Sequence, residues 1–314
     1  MDTLSALLDG PRAQDAFLLR SVLSAPWSLR VQDEAPLTVV AVVAGHAWVV
    51  PDGAEPSRLE AGDVAVVRGP DHYTVADDPA TPPSVIIHPG QLCTTPDGID
   101  LHQPMTIDTR TWGNDPGGPT MLLTGTYQQE SDVSQRVLSV LPPLVAVRAG
   151  TWDSPLVGLL RAELVKDGPG QDAVLDRLLD LLLIAVLRVW LSRPDAGAPG
   201  WYRAQGDPVV GPALRLLHSR PAEGWTVASL ASQVGASRAA LARRFTELVG
   251  EPPMAFLAAW RLDLAADLLR EPGRTVSQVA REVGYGSPYA LSTAFKRARG
   301  TSPKQHRDQA RRAG

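Results

Sequence analysis

The sequence is short of cysteine, of long apolar runs and of lysine, and the first two shortages each close a class of function. Cys93 is the single cysteine among 314 residues. One thiol cannot build an intrachain disulfide framework, a multi-cysteine zinc site or an iron–sulfur cluster. The longest strongly apolar stretch, Leu175 to Leu191, is broken by Asp176, Arg177, Asp180 and Arg188. Its uninterrupted part, Leu181 to Leu187, falls far short of the roughly 20 residues that cross a bilayer. The opening Met1-Asp2-Thr3-Leu4 is acidic and lacks a basic segment followed by an apolar one, so a cytoplasmic location is expected. Lysine supplies 3 of the 30 basic side chains, a bias that says little about mechanism. What is present, 44% hydrophobic and 20% charged residues with Gly and Pro spread along the chain, describes a folded globular protein long enough for two cores.

Charge divides the chain. Residues 1–207 carry 14 basic and 26 acidic side chains, a net of −12, whereas residues 208–314 carry 16 and 8, a net of +8. A basic segment on an acidic body suits one that meets a polyanion, because only that segment must displace counterions from phosphates. Texture changes with charge. Short β-branched runs (Leu37 to Val43, Ala47 to Val50, Val64 to Val67, Val85 to Ile87) bounded by Gly, Pro or Asp predict an antiparallel barrel or sandwich. Asp153–Val165 and Gln171–Arg193 then read as helices. In the second, apolar residues cover more than one face, which fits either a homodimer contact or a helix enclosed within the monomer. Ser192 to Gly200 is rich in Pro and Gly and reads as a hinge.

The basic segment contains a repeat. Leu230-Ala231-Ser232-Gln233-Val234-Gly235-Ala236-Ser237 followed by Leu241, Phe245, Gly250 and Pro253 superimposes on Val279-Ala280-Arg281-Glu282-Val283-Gly284-Tyr285-Gly286-Ser287 followed by Leu291, Phe295, Gly300 and Pro303. From Ser to Leu to Phe to Gly to Pro the spacings are 4, 4, 5 and 3 in both. Each unit makes sense as a helix-turn-helix. The alanines allow close helix approach, Gly235 and Gly284 supply positive φ at the turn, and Ser237 and Ser287 cap the second helix. Thr275 with Gln278, and Ser302 with Gln305, fit capping boxes. A long helix, Met254–Arg270, joins the units.

This pattern, with Gly284-Tyr285-Gly286-Ser287 and Ala294-Phe295-Lys296-Arg297, resembles the AraC/XylS family of bacterial transcription regulators from about Asp207 to Arg307. Leu59-Glu60-Ala61-Gly62-Asp63-Val64, Leu141-Pro142-Pro143 and the helix before the hinge resemble the cupin-type sensor domain of one branch of that family. The resemblance implies a multidomain α+β chain: an N-terminal antiparallel β-barrel of cupin type (1–170), a helical dimerisation segment (171–193), a hinge (194–206) and an all-α double helix-turn-helix (207–314). Implied partners are double-stranded promoter DNA, RNA polymerase, an unidentified small-molecule effector and a second copy of the chain.

With Leu241, Phe245 and Leu248 taken as inward, Arg238, Ala239, Ala242, Arg243 and Thr246 face outward, where a major groove is read. Arg243 is the main candidate for a bidentate contact to guanine, with Arg244 beside it near phosphate. In the second unit Ser287, Tyr289, Ser292, Thr293 and Lys296 match the family's groove-facing side, and Lys296, Arg297 and Arg299 are expected to grip phosphates. The two recognition helices should enter successive major grooves about 34 Å apart.

In the sensor region, Trp48, His72, Tyr73 and Trp27 are candidates for a pocket lining, and Cys93 for a redox-sensitive thiol. The family's metal cupins use two close His, a Glu and a distant His. Here the corresponding strand Leu37 to Ala44 has no His, so His46, His72, His88 and His102 are expected to be structural or pocket-lining, with no metal or other cofactor. The leading expectation is therefore a sequence-specific regulator without catalytic activity. The alternative is a metal-dependent cupin enzyme with an accessory DNA-binding domain. A DNA-repair alkyl acceptor, whose similar helices accompany cysteine-rich zinc sites, is excluded by the single cysteine.

Overall fold

The computed structural model describes residues 17–127, 138, 141–152, 154–166, 168–193, 198, 200–271 and 273–313. The described residues up to 193 form one compact unit and those from 198 onward another. Pro194 to Gly197 and Pro199, in the expected hinge, lie outside the described residues.

In the first unit, the β-branched runs form two sheets. One holds, in spatial order, β10 (Thr106–Asp108), β11 (Thr111–Gly113), β1 (Phe17–Leu23), β12 (Thr120–Tyr127), β3 (Leu37–Ala44), β6 (Val64–Arg68) and β13 (Leu144–Val147). The other holds β5 (Ser57–Glu60), β4 (His46–Pro51), β7 (Tyr73–Ala76), β2 (Ser28–Val31), β8 (Val85–Ile87) and β9 (Cys93–Thr94). The expected antiparallel barrel thus takes the form of two facing sheets, in which β1 with β11 and β2 with β8 pair in parallel. Both sheets feed one core: Leu23, Val42, Val67 and Leu122 from the first, Leu29, Val49, Leu59 and Val75 from the second.

Strand β4 alternates as its period of two requires, with Ala47, Val49 and Pro51 buried and Trp48 and Val50 half-exposed. Strand β3 does not alternate; it is buried continuously from Leu37 to Val42 because helices cover the outer face of its sheet. Those helices are α1 (Leu156–Leu164) and α2 (Gln171–Leu191), each ending slightly inside its expected span. Helix α2 is fixed along its length. Arg110 donates to Gln171 Oε1 at 3.0 Å and pairs with Asp172, the Tyr127 hydroxyl donates to Asp180 at 3.2 Å, and Arg193 reaches the Ala146 carbonyl at 3.1 Å. At Gly125 in β12 a Cβ would come within 2.4 Å of Leu179, so the helix lies on the strand where no side chain intervenes.

The motif Leu59 to Val64 forms a tight link. Asp63 is buried, accepts from the backbone N–H groups of Glu60 (3.0 Å) and Ala149 (2.8 Å), and pairs with Arg148 at 2.9 Å. Those three donors outweigh the burial that opposes them and hold its carboxyl below the usual range.

The second unit is helical: α3 (Val210–Ser219), α4 (Val227–Gln233), α5 (Arg238–Val249), α6 (Pro253–Arg270), α7 (Val276–Glu282), α8 (Pro288–Arg299) and α9 (Pro303–Ala313). Residues 200–206, assigned to the hinge by sequence, are instead two short helical turns whose Ala204 lies in the core of this unit.

Candidate functional site

Each half of the repeat folds around its own core. Leu241 and Phe245 from α5 join Leu214, Leu217, Leu230 and Phe256; Leu291 and Phe295 from α8 join Ala265, Leu269, Val279 and Val283. Full burial of a Leu or Phe stabilises by about 1.5–3 kcal/mol, so these four side chains fix which face of each recognition helix is left outside. The ends are defined as the sequence predicts. Ser237 accepts from the Ala240 N–H at 3.2 Å and Ser287 from the Ala290 N–H at 3.1 Å. Gly235 and Gly284 take φ of +68° and +84° at the turns. The capping boxes Thr275–Gln278 and Ser302–Gln305 form, as does Thr226–Ser229, which sequence reading missed.

The two halves are joined firmly. Arg261 in α6 donates from Nε to the Pro221 carbonyl at 2.7 Å and from Nη2 to the Glu223 carbonyl at 2.8 Å. A Cβ on Gly284 would sit 2.7 Å from the Ala222 backbone, so the turn of the second half rests directly on the α3–α4 loop of the first.

Of the residues expected to face outward, Arg238, Ala239, Arg243 and Thr246 are exposed on α5, and Ala242 is half-buried. Arg243 reaches one turn along to Glu247, Nη1 to Oε1 at 3.0 Å. On α8 and just beyond it, Tyr289, Ser292, Thr293, Lys296 and Arg297 line one concavity together with Ser302. Within this group the Ser292 hydroxyl donates to the Pro288 carbonyl at 2.8 Å, and Ser287 is occupied as a cap.

Three expectations need correction. Arg244 does not wait for phosphate: its Nε and Nη2 both reach Asp207 Oδ2, at 2.8 and 2.6 Å. The other oxygen of Asp207 caps α3 by accepting from the Val209 and Val210 N–H groups, both at 2.9 Å. The Arg244 guanidinium, with those two N–H donors, holds the Asp207 carboxyl at about 2. Arg299 is engaged in the same way, with Nη2 2.7 Å from Asp263 of α6 and its plane over the Phe295 ring. Each recognition helix is thus anchored by an Arg–Asp pair to a neighbouring element. Leu248, expected inside, is exposed, because in the last turn of α5 it is Val249 that turns to the core.

In the sheet unit, a cavity of about 30 Å³ lies among the described residues, lined in part by Tyr73, Asp33, Gln91, Thr124 and Thr126. That is about one water, against the several hundred cubic ångströms of an ordinary ligand pocket. Tyr73 borders it, its phenol hydrogen-bonded to Thr38 and pushed well above its ordinary pKa by burial. Trp48 does not border it, since the alternation of β4 turns it to the outer face, and neither does His72. Trp27 belongs to the core. Asp33 and Gln91, which meet at 3.0 Å beside the cavity, were not anticipated, because nothing local marks two loop residues 58 positions apart. Cys93 is half-buried, and burial followed by the charge of Asp100 pushes its thiol up to about 11, so it is not a thiolate at neutral pH. Among the described residues no three His, Cys, Asp or Glu side chains come together to hold a metal, so the donor set of a metal cupin does not fit here.

Comparison with known proteins agrees with this geometry. Residues 2–192 match the cupin family and residues 230–309 the helix-turn-helix domain family. The chain is similar to an AraC-like transcription regulator of Streptomyces lividans, 33% identical over 98% of each protein. It is also similar to the HTH-type transcriptional regulator AlkR of Acinetobacter baylyi, 28% identical over 98% of this chain and 100% of that one. Among solved structures, the DNA-binding domain of AdpA in complex with a target DNA is 33% identical, covering 34% of this chain and 96% of that one, with a TM-score of 0.32. The chain belongs to the AraC-like DNA-binding transcription regulators, with a cupin-like ligand-binding unit ahead of its double helix-turn-helix.

Proposed function

We propose that the chain regulates transcription by reading a specific promoter sequence with α5 and α8, and that it does so as a homodimer without catalytic activity of its own. The observation that carries the reading is the division of labour between the two outward faces. On α5, short Ala239 and Ala242 leave Arg243 as the long side chain of the middle of the outward face, with Arg238 at its start, able to fork onto guanine O6 and N7. On α8, exposed Lys296 and Arg297 flank Tyr289 and Thr293 in one concavity, an arrangement suited to phosphate grip and apolar contact with thymine methyls. RNA polymerase is the further contact such a regulator meets at a promoter. The cupin-like unit is the seat of the effector response, and the protonated thiol of Cys93 favours a small molecule over an oxidant as that effector.

The dimer contact proposed is the outer stripe of α2. Val174 and Leu181 are 44% and 50% exposed, and half-buried Leu178 lies between them at spacings of 4 and 3. That is the apolar repeat of a two-helix seam.

The test uses a duplex enriched from a random pool by the full-length chain, and a scrambled duplex of equal composition. Arg243→Ala should weaken binding to the enriched duplex by about 1–3 kcal/mol more than binding to the scrambled one. Lys296→Ala should weaken both alike and reduce the log–log salt slope by about one. Equal losses on both duplexes for Arg243→Ala would move that residue from base reading to phosphate.

A further inference from the structure

The first recognition helix carries a carboxylate where the second carries a cation. Counted from the capping serines, Arg243 corresponds to Thr293 and Glu247 to Arg297. A carboxylate on a helix that approaches phosphates opposes binding, yet Glu247 is not turned away. Its Oε1 lies 3.0 Å from Nη1 of Arg243, with the two side chains 55% and 73% exposed. Among its neighbours, Arg244 is held by Asp207 and feels the charge of Glu247 as a smaller influence, the Thr246 hydroxyl donates to the Ala242 carbonyl at 2.9 Å, Ala239 and Ala242 are short, and exposed Arg238 lies at the opposite end of the helix.

We infer that Glu247 is a specificity-determining positioning residue that acts through Arg243; this rests on the reading of Arg243 as the guanine contact. The guanidinium has five N–H donors in a planar fork, and Glu247 engages one of them at Nη1. Donors on Nη2 and Nε are left for guanine O6 and N7. A phosphate can accept two of these N–H groups as well, but its hold on the fork depends chiefly on charge, and the charge of Arg243 is offset by its partner one turn away. Glu247 therefore subtracts from attraction to phosphate on either duplex, while on the enriched duplex it offsets that loss by holding the fork with Nη2 and Nε free for guanine, and the ratio of specific to nonspecific affinity rises. A pair this exposed is weak enough for a base edge to compete with it.

The experiment measures binding of the full-length chain and its E247Q, R243A and double variants to the enriched and scrambled duplexes over a range of salt. E247Q should tighten binding to the scrambled duplex about three- to tenfold, steepen its log–log salt slope by about one, and change binding to the enriched duplex less than about twofold. In the R243A background, E247Q should leave the enriched-to-scrambled ratio unchanged. Equal tightening on both duplexes by E247Q, or a fall in the ratio that persists without Arg243, would overturn the role of Glu247. If R243A alone leaves the ratio intact, the base-reading assignment fails, and the role of Glu247 fails with it for that separate reason. Glu247 is exposed on a helix surface, so the substitution leaves the fold in place.

Discussion

Asp207 serves two elements with one carboxylate, capping α3 with one oxygen and holding Arg244 of α5 with the other. Its pKa is depressed to about 2 from an ordinary 3.8, so the charged form is favoured by folding. The stabilisation is therefore fully present above about pH 4 and fades as pH falls toward 2. Asp207→Asn keeps a capping acceptor but loses the ion pair, and should flatten the acid limb of stability between those values in chemical-denaturation titrations. A variant with an unchanged acid limb would show that the pair contributes nothing. Asp207→Ala, which also removes the cap, should cost about 1–2 kcal/mol at neutral pH. The pairing of Asp207 with Arg244 was not legible, because the two lie 37 residues apart and nothing local distinguishes an anchored arginine from a phosphate-seeking one. The same holds for Arg299 and Asp263, 36 residues apart.

The recognition helices were the most legible elements, because the recurrence of Leu and Phe four residues apart after a capping serine fixes both the start of a helix and its buried side. Leu248 escaped that logic: both it and Val249 fit helical spacing after Phe245, and it is Val249 that packs against the core. Of the cavity residues, Asp33 and Gln91 escaped because they lie outside the strands that supply most of its lining. Gly284 was readable for half of its reason, the positive φ; the other half, backbone contact with Ala222, belongs to the joining of the two halves. Gly284→Ala should therefore cost more than the roughly 1–2 kcal/mol of a left-handed alanine, about 2–4 kcal/mol in all. Gly235→Ala, also at positive φ but with no atom within 4 Å of the added Cβ, should cost only the conformational part. Thermal melts of the two variants check the difference, and equal losses would show that the contact at Ala222 carries no stability.

For the molecule as a whole, the charge division in the sequence anticipated the division of the chain into an acidic sheet unit and a basic helical one. The two facing sheets, with their parallel pairs, could not be read from strand runs alone, since pairing partners such as Arg20 of β1 and Thr111 of β11 are brought together by packing and not by any local turn. The double apolar character of α2 was legible, and one side of it is explained by burial within the sheet unit, through Leu175, Leu179, Leu182, Leu183 and Val186. The other side carries the dimer proposal. Val174→Glu with Leu181→Glu should convert a dimer to a monomer in sedimentation velocity with the secondary-structure content unchanged, whereas persistence of the dimer would reject this face as the contact. The measurement that bears most directly on the central claim is fluorescence anisotropy of the full-length chain on the enriched and scrambled duplexes at low and physiological salt. Sequence-specific reading by α5 and α8 predicts a preference of about 10³ or more that survives physiological salt. Equal affinity for both duplexes, lost together as salt rises, would contradict it.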